Sequence, residues 1–166
     1  MTATKITGGI DKVVDLVGHA TSWLALGIAL VMGANVLLRY GFSIGSIWMQ
    51  EFEWHIMVPI CVFGMSYALL HGEHVRVDVV FQYFTPRNKL MVEVITSVAG
   101  MLLSVIVVWL CIPYVWQSWS IGEGTANPGG IDYRYIIKAL IPVGFALFFF
   151  QSLSQAIKSA VAMRSA

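Results

Sequence analysis

A chain of 166 residues in which 58% are hydrophobic and only 11% are charged is too apolar to be an ordinary soluble domain. Its formal charge of +1 and its lack of a basic run argue against a nucleic-acid partner, because nucleic-acid binding needs a clustered cationic surface. The composition, with a mean hydropathy of +0.77, therefore predicts an integral membrane protein.

The N-terminal region is predicted to begin with a short amphipathic helix on the membrane surface, at about residues 6–18. Its apolar residues recur at helical spacing, opposite Asp11, Lys12 and Asp15. These apolar residues are Ile10, Val13, Val14 and Val17. The region lacks the order of segments that a signal peptide needs, so the first membrane segment is expected to be retained.

Four apolar stretches are long enough to cross a bilayer, since a core of about 30 Å needs about 20 helical residues. They cover about residues 21–38, 55–70, 94–116 and 136–157. Each is predicted to be a helix, because backbone groups in lipid must find hydrogen-bond partners within the segment. Residues 1–166 are thus expected to form one all-α membrane domain with four transmembrane helices.

The connection between the first two spans, at about residues 44–54, reads IGSIWMQEFEW. Trp48 and Phe52 are four positions apart and share one helix face. Glu51 and Glu53 are then available to face water or a partner. This pattern predicts a second short helix lying along the outer surface of the membrane.

Basic residues in the connections predict the orientation. With both termini in the cytoplasm, seven basic residues lie inside and three, Arg39, Arg134 and Lys138, lie outside. Six aromatic residues would then form a belt at the outer surface: Trp48, Trp54, Trp116, Trp119, Tyr133 and Tyr135. The charged segment at 71–91 is expected to be a cytoplasmic loop, and both termini are expected to be cytoplasmic.

The interiors of the four predicted spans contain no Asp, Glu, Lys or Arg, although a protein that moves ions by itself usually places such groups inside its spans. Stripes of small residues instead favour close helix packing. They are Ala25, Ala29 and Gly33 in the first span, and Gly64, Ala68 and Gly72 in the second. The stripes either pack these two helices together or dock against another membrane subunit.

Catalytic chemistry is not expected, because the sequence has no catalytic triad, paired carboxylates, phosphate loop or zinc motif. Cys61 and Cys111 fall in apolar runs and are predicted to be buried thiols. His19 and His71 lie near the same ends of their spans, which leaves a bis-histidine haem open as an alternative. We otherwise expect no catalytic residue, cofactor or metal site.

A family resemblance rests on the run from Trp48, WMQEFEWHIMVPICVFGMSYALLHGEHVRVDVVFQYFTPRNKL. Acidic residues before the second span, a Gly within it, and a His, an aliphatic pair, an Asp and a Pro after it stand in the order found in one family. The matching residues are Glu51, Glu53, Gly64, His74, Val75, Val77, Asp78 and Pro86. With the C-terminal run DYRYIIKALIPVGFALFFFQSLSQAI, the chain resembles the small membrane subunit (Q subunit) of tripartite ATP-independent periplasmic (TRAP) transporters from about residue 23 to residue 157.

This resemblance implies a non-catalytic scaffold in a bacterial inner membrane. In such systems a periplasmic binding protein delivers an organic acid, and a large membrane subunit carries it inward with sodium. The small subunit packs beside the large one. The expected partners are therefore the large subunit, the binding protein and the lipid bilayer, and sodium is expected on the large subunit.

We assign ten residues to a hypothetical interface with these partners: Arg39, Trp48, Glu51, Glu53, Gly64, Ala68, Gly72, His74, Arg76 and Asp78. His74, Arg76 and Asp78 either contact the large subunit at the cytoplasmic surface or only orient the protein, with a local Arg76–Asp78 pair. Glu51 and Glu53 either orient the interfacial helix or contact the large subunit or the docked binding protein.

Two other functions are left open by the sequence. One is the membrane anchor of a haem-containing or quinone-reducing enzyme, which would use His19 and His71. The other is an independent small transporter or channel that works as a homo-oligomer, although the lack of charge within the spans disfavours it.

Overall fold

The computed structural model describes residues 2–73 and 83–165, which form four helices joined by short connections. The helices are α1 (Thr2–Gly41), α2 (Ile47–His71), α3 (Pro86–Ser120) and α4 (Arg134–Ser165). All four are long and apolar enough to cross a membrane, and the residues described contain no strand. The predicted all-α fold with four transmembrane helices is confirmed.

Capping side chains set where two of the helices begin. The hydroxyl of Ser46 accepts a hydrogen bond of 3.3 Å from the backbone N–H of Met49, which starts α2. Thr85 does the same for Asn88, also at 3.3 Å, and Pro86 follows it in the first turn of α3. Each cap satisfies one of the N–H groups that a helix leaves unpaired at its first turn.

The two segments predicted to lie on the membrane surface are helical, but neither forms a separate helix. Residues 6–18 are the first part of α1, and α2 begins at Ile47 and continues without a break into the second span. No Pro interrupts α1, and the Thr21 hydroxyl donates to the Val17 carbonyl at 2.7 Å within the same helix. That these segments lie in the membrane plane stays a prediction.

The helices form two antiparallel hairpins, α1–α2 and α3–α4. Helix α4 connects them, since it packs against α3 on one side and against α2 and α1 on the other. Helix α3 makes its extensive contacts with α4 and presents the rest of its surface to the surroundings.

Buried and exposed positions are inverted relative to a soluble protein. Small polar side chains occupy the interior, and Ser66, Ser104 and Gln151 are fully buried. Large apolar side chains face outward, as shown by Trp109, which is 72% exposed. This arrangement suits a lipid solvent, in which small polar residues bring helices together.

The two cysteines correct a sequence-based prediction. Cys61 is exposed and Cys111 is half-buried, so neither is the fully buried thiol that we expected. In an inverted fold an apolar run does not indicate burial within the protein, because the outward face is the more apolar one.

Candidate functional site

Charged and hydrogen-bonding side chains gather at the two ends of the bundle. One end, here called the hairpin end, carries the α1–α2 and α3–α4 connections. The other, the termini end, carries both chain termini, since Asp11 near the start of α1 contacts Lys158 near the end of α4. Both termini therefore lie on the same side of the bundle, as predicted, and the compartment they face stays a prediction.

At the hairpin end the carboxylate of Glu51 contacts Thr125, Asn127, Ile131 and Arg134, and these five residues are here called the Glu51 latch. The carboxylate accepts hydrogen bonds from Thr125 Oγ1 at 2.5 Å, Asn127 Nδ2 at 2.9 Å and the backbone N–H of Ile131 at 2.7 Å. The guanidinium of Arg134 lies 3.9 Å away. Glu51 thus joins the first turns of α2 to the α3–α4 connection.

Two further features lie beside these contacts of Glu51. Gly130 allows the carboxylate to approach, since a Cβ atom there would lie 2.5 Å from Glu51 Oε2. Glu53 points to the other neighbour of α2 and accepts a hydrogen bond of 3.0 Å from Asn35 Nδ2 on α1. The two glutamates therefore bind α2 to both of its neighbours at the hairpin end.

The α3–α4 connection is also stabilised from within. Lys138 donates a hydrogen bond to Glu123, and its ammonium lies 4.2 Å from the centre of the Tyr114 ring. The hydrogen bond from Lys138 lowers the pKa of the Glu123 carboxyl below its usual value of 4.5. This contact holds the first part of the connection against the start of α4.

A pH dependence follows from that lowered pKa. A depressed carboxyl pKa stabilises the folded state fully above about pH 4.5, and this stabilisation is lost as the pH falls through the folded-state pKa. We expect the melting temperature of Glu123→Gln to be about 2–4 °C below wild type at pH 7, and the gap to close on acidification. Melting curves of both proteins between about pH 2.5 and pH 7, a range that extends below the usual carboxyl pKa, test this. A gap that stays constant with pH would contradict it.

A second set of polar contacts closes the termini end. Asp11 accepts hydrogen bonds from Ser154 at 2.9 Å and from Lys158 at 2.5 Å. Asp15 lies 3.1 Å from His71 Nε2, which links α1 to the end of α2. The three helices that form the centre of the bundle are therefore joined at both ends.

The spacing of these two layers matches a bilayer. Asp15 and Asn35 on α1, Glu51 and His71 on α2, and Arg134 and Ser154 on α4 are each 20 positions apart. Twenty residues at about 1.5 Å each span about 30 Å, the thickness of the hydrocarbon core. The separation of the two polar layers along the helices is thus about the thickness of the hydrocarbon core.

The glycines that bring helices together differ from those that we predicted. Gly33 and Gly64 each face open space. Close approach occurs instead at Gly18, where a side chain would overlap the ring of Tyr67 on α2, and at Gly144. The sequence signal for these positions is weak, because neither glycine stands in a repeated stripe of small residues.

Gly72 has a different role from the one its place in a stripe suggested. Its φ of 75° is in the left-handed region, where glycine is favoured, and it terminates α2. The next N–H, of Glu73, donates to the Ala68 carbonyl at 3.0 Å. Gly72 and Ala68 thus both take part in ending helix α2. That they contact a partner subunit stays a prediction.

The remaining predicted interface residues are distributed as follows. Arg39 is exposed in the last turn of α1, and Trp48 is half-exposed and stacks on Phe52 with ring centres 5.0 Å apart. His74, Arg76 and Asp78 lie outside the described residues. Glu51 is 3% exposed, and its internal contacts agree with the orienting role that the sequence analysis gave as one alternative.

The histidines proposed for a haem share one aromatic neighbour. The ring of Tyr67 lies 4.4 Å from that of His71 and 5.9 Å from that of His19, centre to centre. Both imidazoles also face Asp15. Both histidines are thus engaged in local packing against the Tyr67 ring.

Comparison with known proteins identifies the family. The family model described as "Tripartite ATP-independent periplasmic transporters, DctQ component" matches residues 28–162. The chain belongs to this family. A relative in the family, the ectoine TRAP transporter small permease protein TeaB of Halomonas elongata, is 24% identical over 157 residues, which cover 93% of this chain and 79% of TeaB.

As a TRAP small permease, this chain is a component of a transporter and not an enzyme. Its four apolar helices and its family make it a multi-pass protein of the inner membrane. The matched region, 28–162, includes every residue of the Glu51 latch, and Asp11 and Asp15 at the termini end precede it.

Proposed function

We propose that this TRAP small permease is a stationary scaffold that holds the large membrane subunit of a sodium-coupled importer, to which a periplasmic protein delivers an organic acid. The scaffold itself binds neither sodium nor substrate, which belong to the large subunit. The termini end faces the cytoplasm, and the hairpin end faces the periplasm and the binding protein.

The observation that carries this proposal is the distribution of charge along the helices. Residues 16–38, 54–72, 94–122 and 139–157 contain no Asp, Glu, Lys or Arg, so the interior of the bundle offers no such charged group to couple solute movement to an ion. The buried polar side chains at that depth are mainly Ser and Gln, which suit helix packing.

Rigidity is the second argument. Helices α1, α2 and α4 are tied at one end by Glu51 and Glu53 and at the other by Asp11 and Asp15. A body joined at both membrane surfaces resists the sliding and hinge motions by which transport domains move. This favours a part that stays in place while a partner moves.

Reconstitution into liposomes tests the proposal. We expect uptake of a labelled organic acid only when this chain, its large subunit and its binding protein are all present under an inward sodium gradient. Because TeaB is named for ectoine, ectoine belongs in the first panel of solutes. The controls omit one component at a time or replace sodium by potassium. Uptake by this chain alone would contradict the scaffold role.

A further inference from the structure

Two depressions meet on the α3–α4 hairpin, at the hairpin end. The first has a volume of about 460 Å³ and an apolar lining of Ile112, Val115, Trp116, Trp119, Tyr135 and Pro142. The second has a volume of about 540 Å³ and is lined by Trp119, Gly122, Asp132, Tyr133 and Tyr135. Since Trp119 and Tyr135 line both, they form one site with an apolar half and a polar half, called here the α3–α4 groove.

The polar half has the composition of a cage for an ammonium group. The rings of Tyr133 and Tyr135 both line it and stand edge to face, with centres 6.2 Å apart and planes at 86°. Trp119 adds a third aromatic ring. Aromatic faces attract a cation that lies within about 6 Å of the ring centre, and they recognise choline-like groups in this way.

Charge at the hairpin end points to the same ligand. Glu51 faces Arg134, and Glu123 is paired with Lys138, so two acids are matched with two cations. Asp132 lines the polar half and is exposed, and no ion-pair partner for it exists within residues 2–73 and 83–165. The groove thus presents one unmatched negative charge beside the aromatic rings.

The positions of the two halves of the groove along the membrane normal match those of a phospholipid headgroup and its acyl chains. Asp132 and Tyr133 immediately precede Arg134, which belongs to the polar layer at the membrane surface. Pro142, in the apolar half, lies eight residues farther along α4, which is about 12 Å toward the bilayer centre. A phospholipid has this arrangement, with its headgroup at the surface and its acyl chains in the hydrocarbon.

We propose that the α3–α4 groove binds one phospholipid with an ammonium headgroup, such as phosphatidylethanolamine. The ammonium lies among Trp119, Tyr133 and Tyr135 against the Asp132 carboxylate, and an acyl chain lies along the apolar half. A lipid is the occupant because the apolar half opens to hydrocarbon, which a soluble amine does not fill. This site is additional to the scaffold role and does not depend on it.

Native mass spectrometry of the purified full-length chain, titrated with lipids of identical acyl chains, tests the proposal. We expect phosphatidylethanolamine to bind about fivefold more tightly than phosphatidylglycerol. Asp132→Asn should bring the two affinities within about twofold of each other. Glu73→Gln, which neutralises an exposed acid at the termini end, is the matched control and should keep the preference.

Other occupants give distinct results. Equal binding of both lipids, or an unchanged preference in Asp132→Asn, would reduce the groove to part of an ordinary aromatic belt and overturn the proposal. Ethanolamine that binds as tightly as the lipid would indicate a soluble amine site and would also overturn it. Loss of the preference for phosphatidylethanolamine in the complex with the large subunit would mean that the large subunit, and not a lipid, covers the groove. This result would also overturn the proposal.

Discussion

Replacing Glu51 by alanine is expected to lower the melting temperature of the purified protein by about 5–10 °C. The change leaves the donors of Thr125, Asn127 and Ile131 without their acceptor and separates Arg134 from its nearest carboxylate. Because Glu51 joins α2 to the α3–α4 connection, the loss loosens the contact between the two hairpins. Scanning fluorimetry in a mild detergent measures the effect.

Glu53→Ala is the matched control for this experiment. Glu53 lies two positions away on the same helix, and its recorded contact is a single hydrogen bond from Asn35. We expect its melting temperature to fall by less than half as much as that of Glu51→Ala. Equal effects of the two changes would mean that the contacts of Glu51 are not what joins the two hairpins. Gly130→Ala, which crowds the same carboxylate from the other side, should resemble Glu51→Ala.

Gly144→Ala is the second change for which we expect a large effect, at about 1–3 kcal/mol of destabilisation. The new methyl group would lie 2.6 Å from Val62 Cβ and 3.1 Å from the Val62 carbonyl oxygen on α2. Part of the obstacle is backbone, so a side-chain rotation cannot relieve it. Helices α2 and α4 must move apart, which weakens the contact that unites the two hairpins. Equilibrium unfolding in mixed micelles gives the free energy.

Gly64→Ala tests whether the space around the glycine causes this effect. Gly64 is also within a membrane helix, but among the described residues no atom beyond its own turn of helix backbone and its chain neighbours lies within 4 Å of a Cβ placed there. Because alanine favours helix more than glycine does, this change should be neutral or slightly stabilising. Destabilisation as large as that of Gly144→Ala would show that the cost is not steric.

The four helices could be predicted from the sequence because the bilayer imposes a simple rule on composition. A segment of about 20 apolar residues must be helical, and the apolar stretches at 21–38, 55–70, 94–116 and 136–157 satisfy this rule. The full lengths could not be predicted in the same way. Helix α1 has 40 residues, about 60 Å, and its first part is too polar to be recognised by hydropathy.

The contacts of Glu51 could not be predicted from the sequence. Its partners Thr125 and Ile131 are 74 and 80 positions away along the chain, so no local pattern relates them. The order of elements showed only that an acidic residue stands before the second span. What the carboxylate binds depends on how α4 packs against α2, which is a property of the tertiary structure.

The small-residue stripes show the same limit in another way. Ala25, Ala29 and Gly33 have the spacing of a packing face, yet all three are exposed in the described bundle. Gly18 and Gly144 stand outside such a stripe and make the close contacts. Spacing identifies a face that permits close approach, but the shape of the neighbouring helix decides where approach occurs.

The position of the contacts along the chain has a consequence for biogenesis. Asp11 and Lys158 are 147 positions apart, and Glu51 is bound by residues that follow the third span. Chains are synthesised and inserted from the N-terminus, so α1 and α2 enter the bilayer before the partners of Asp11 and Glu51 exist. Until the α3–α4 hairpin is made, both carboxylates have to remain hydrated at opposite ends of the first hairpin. Because a hydrated carboxylate stands at each end of the α1–α2 hairpin, the hairpin keeps its depth in the bilayer until the α3–α4 hairpin is inserted.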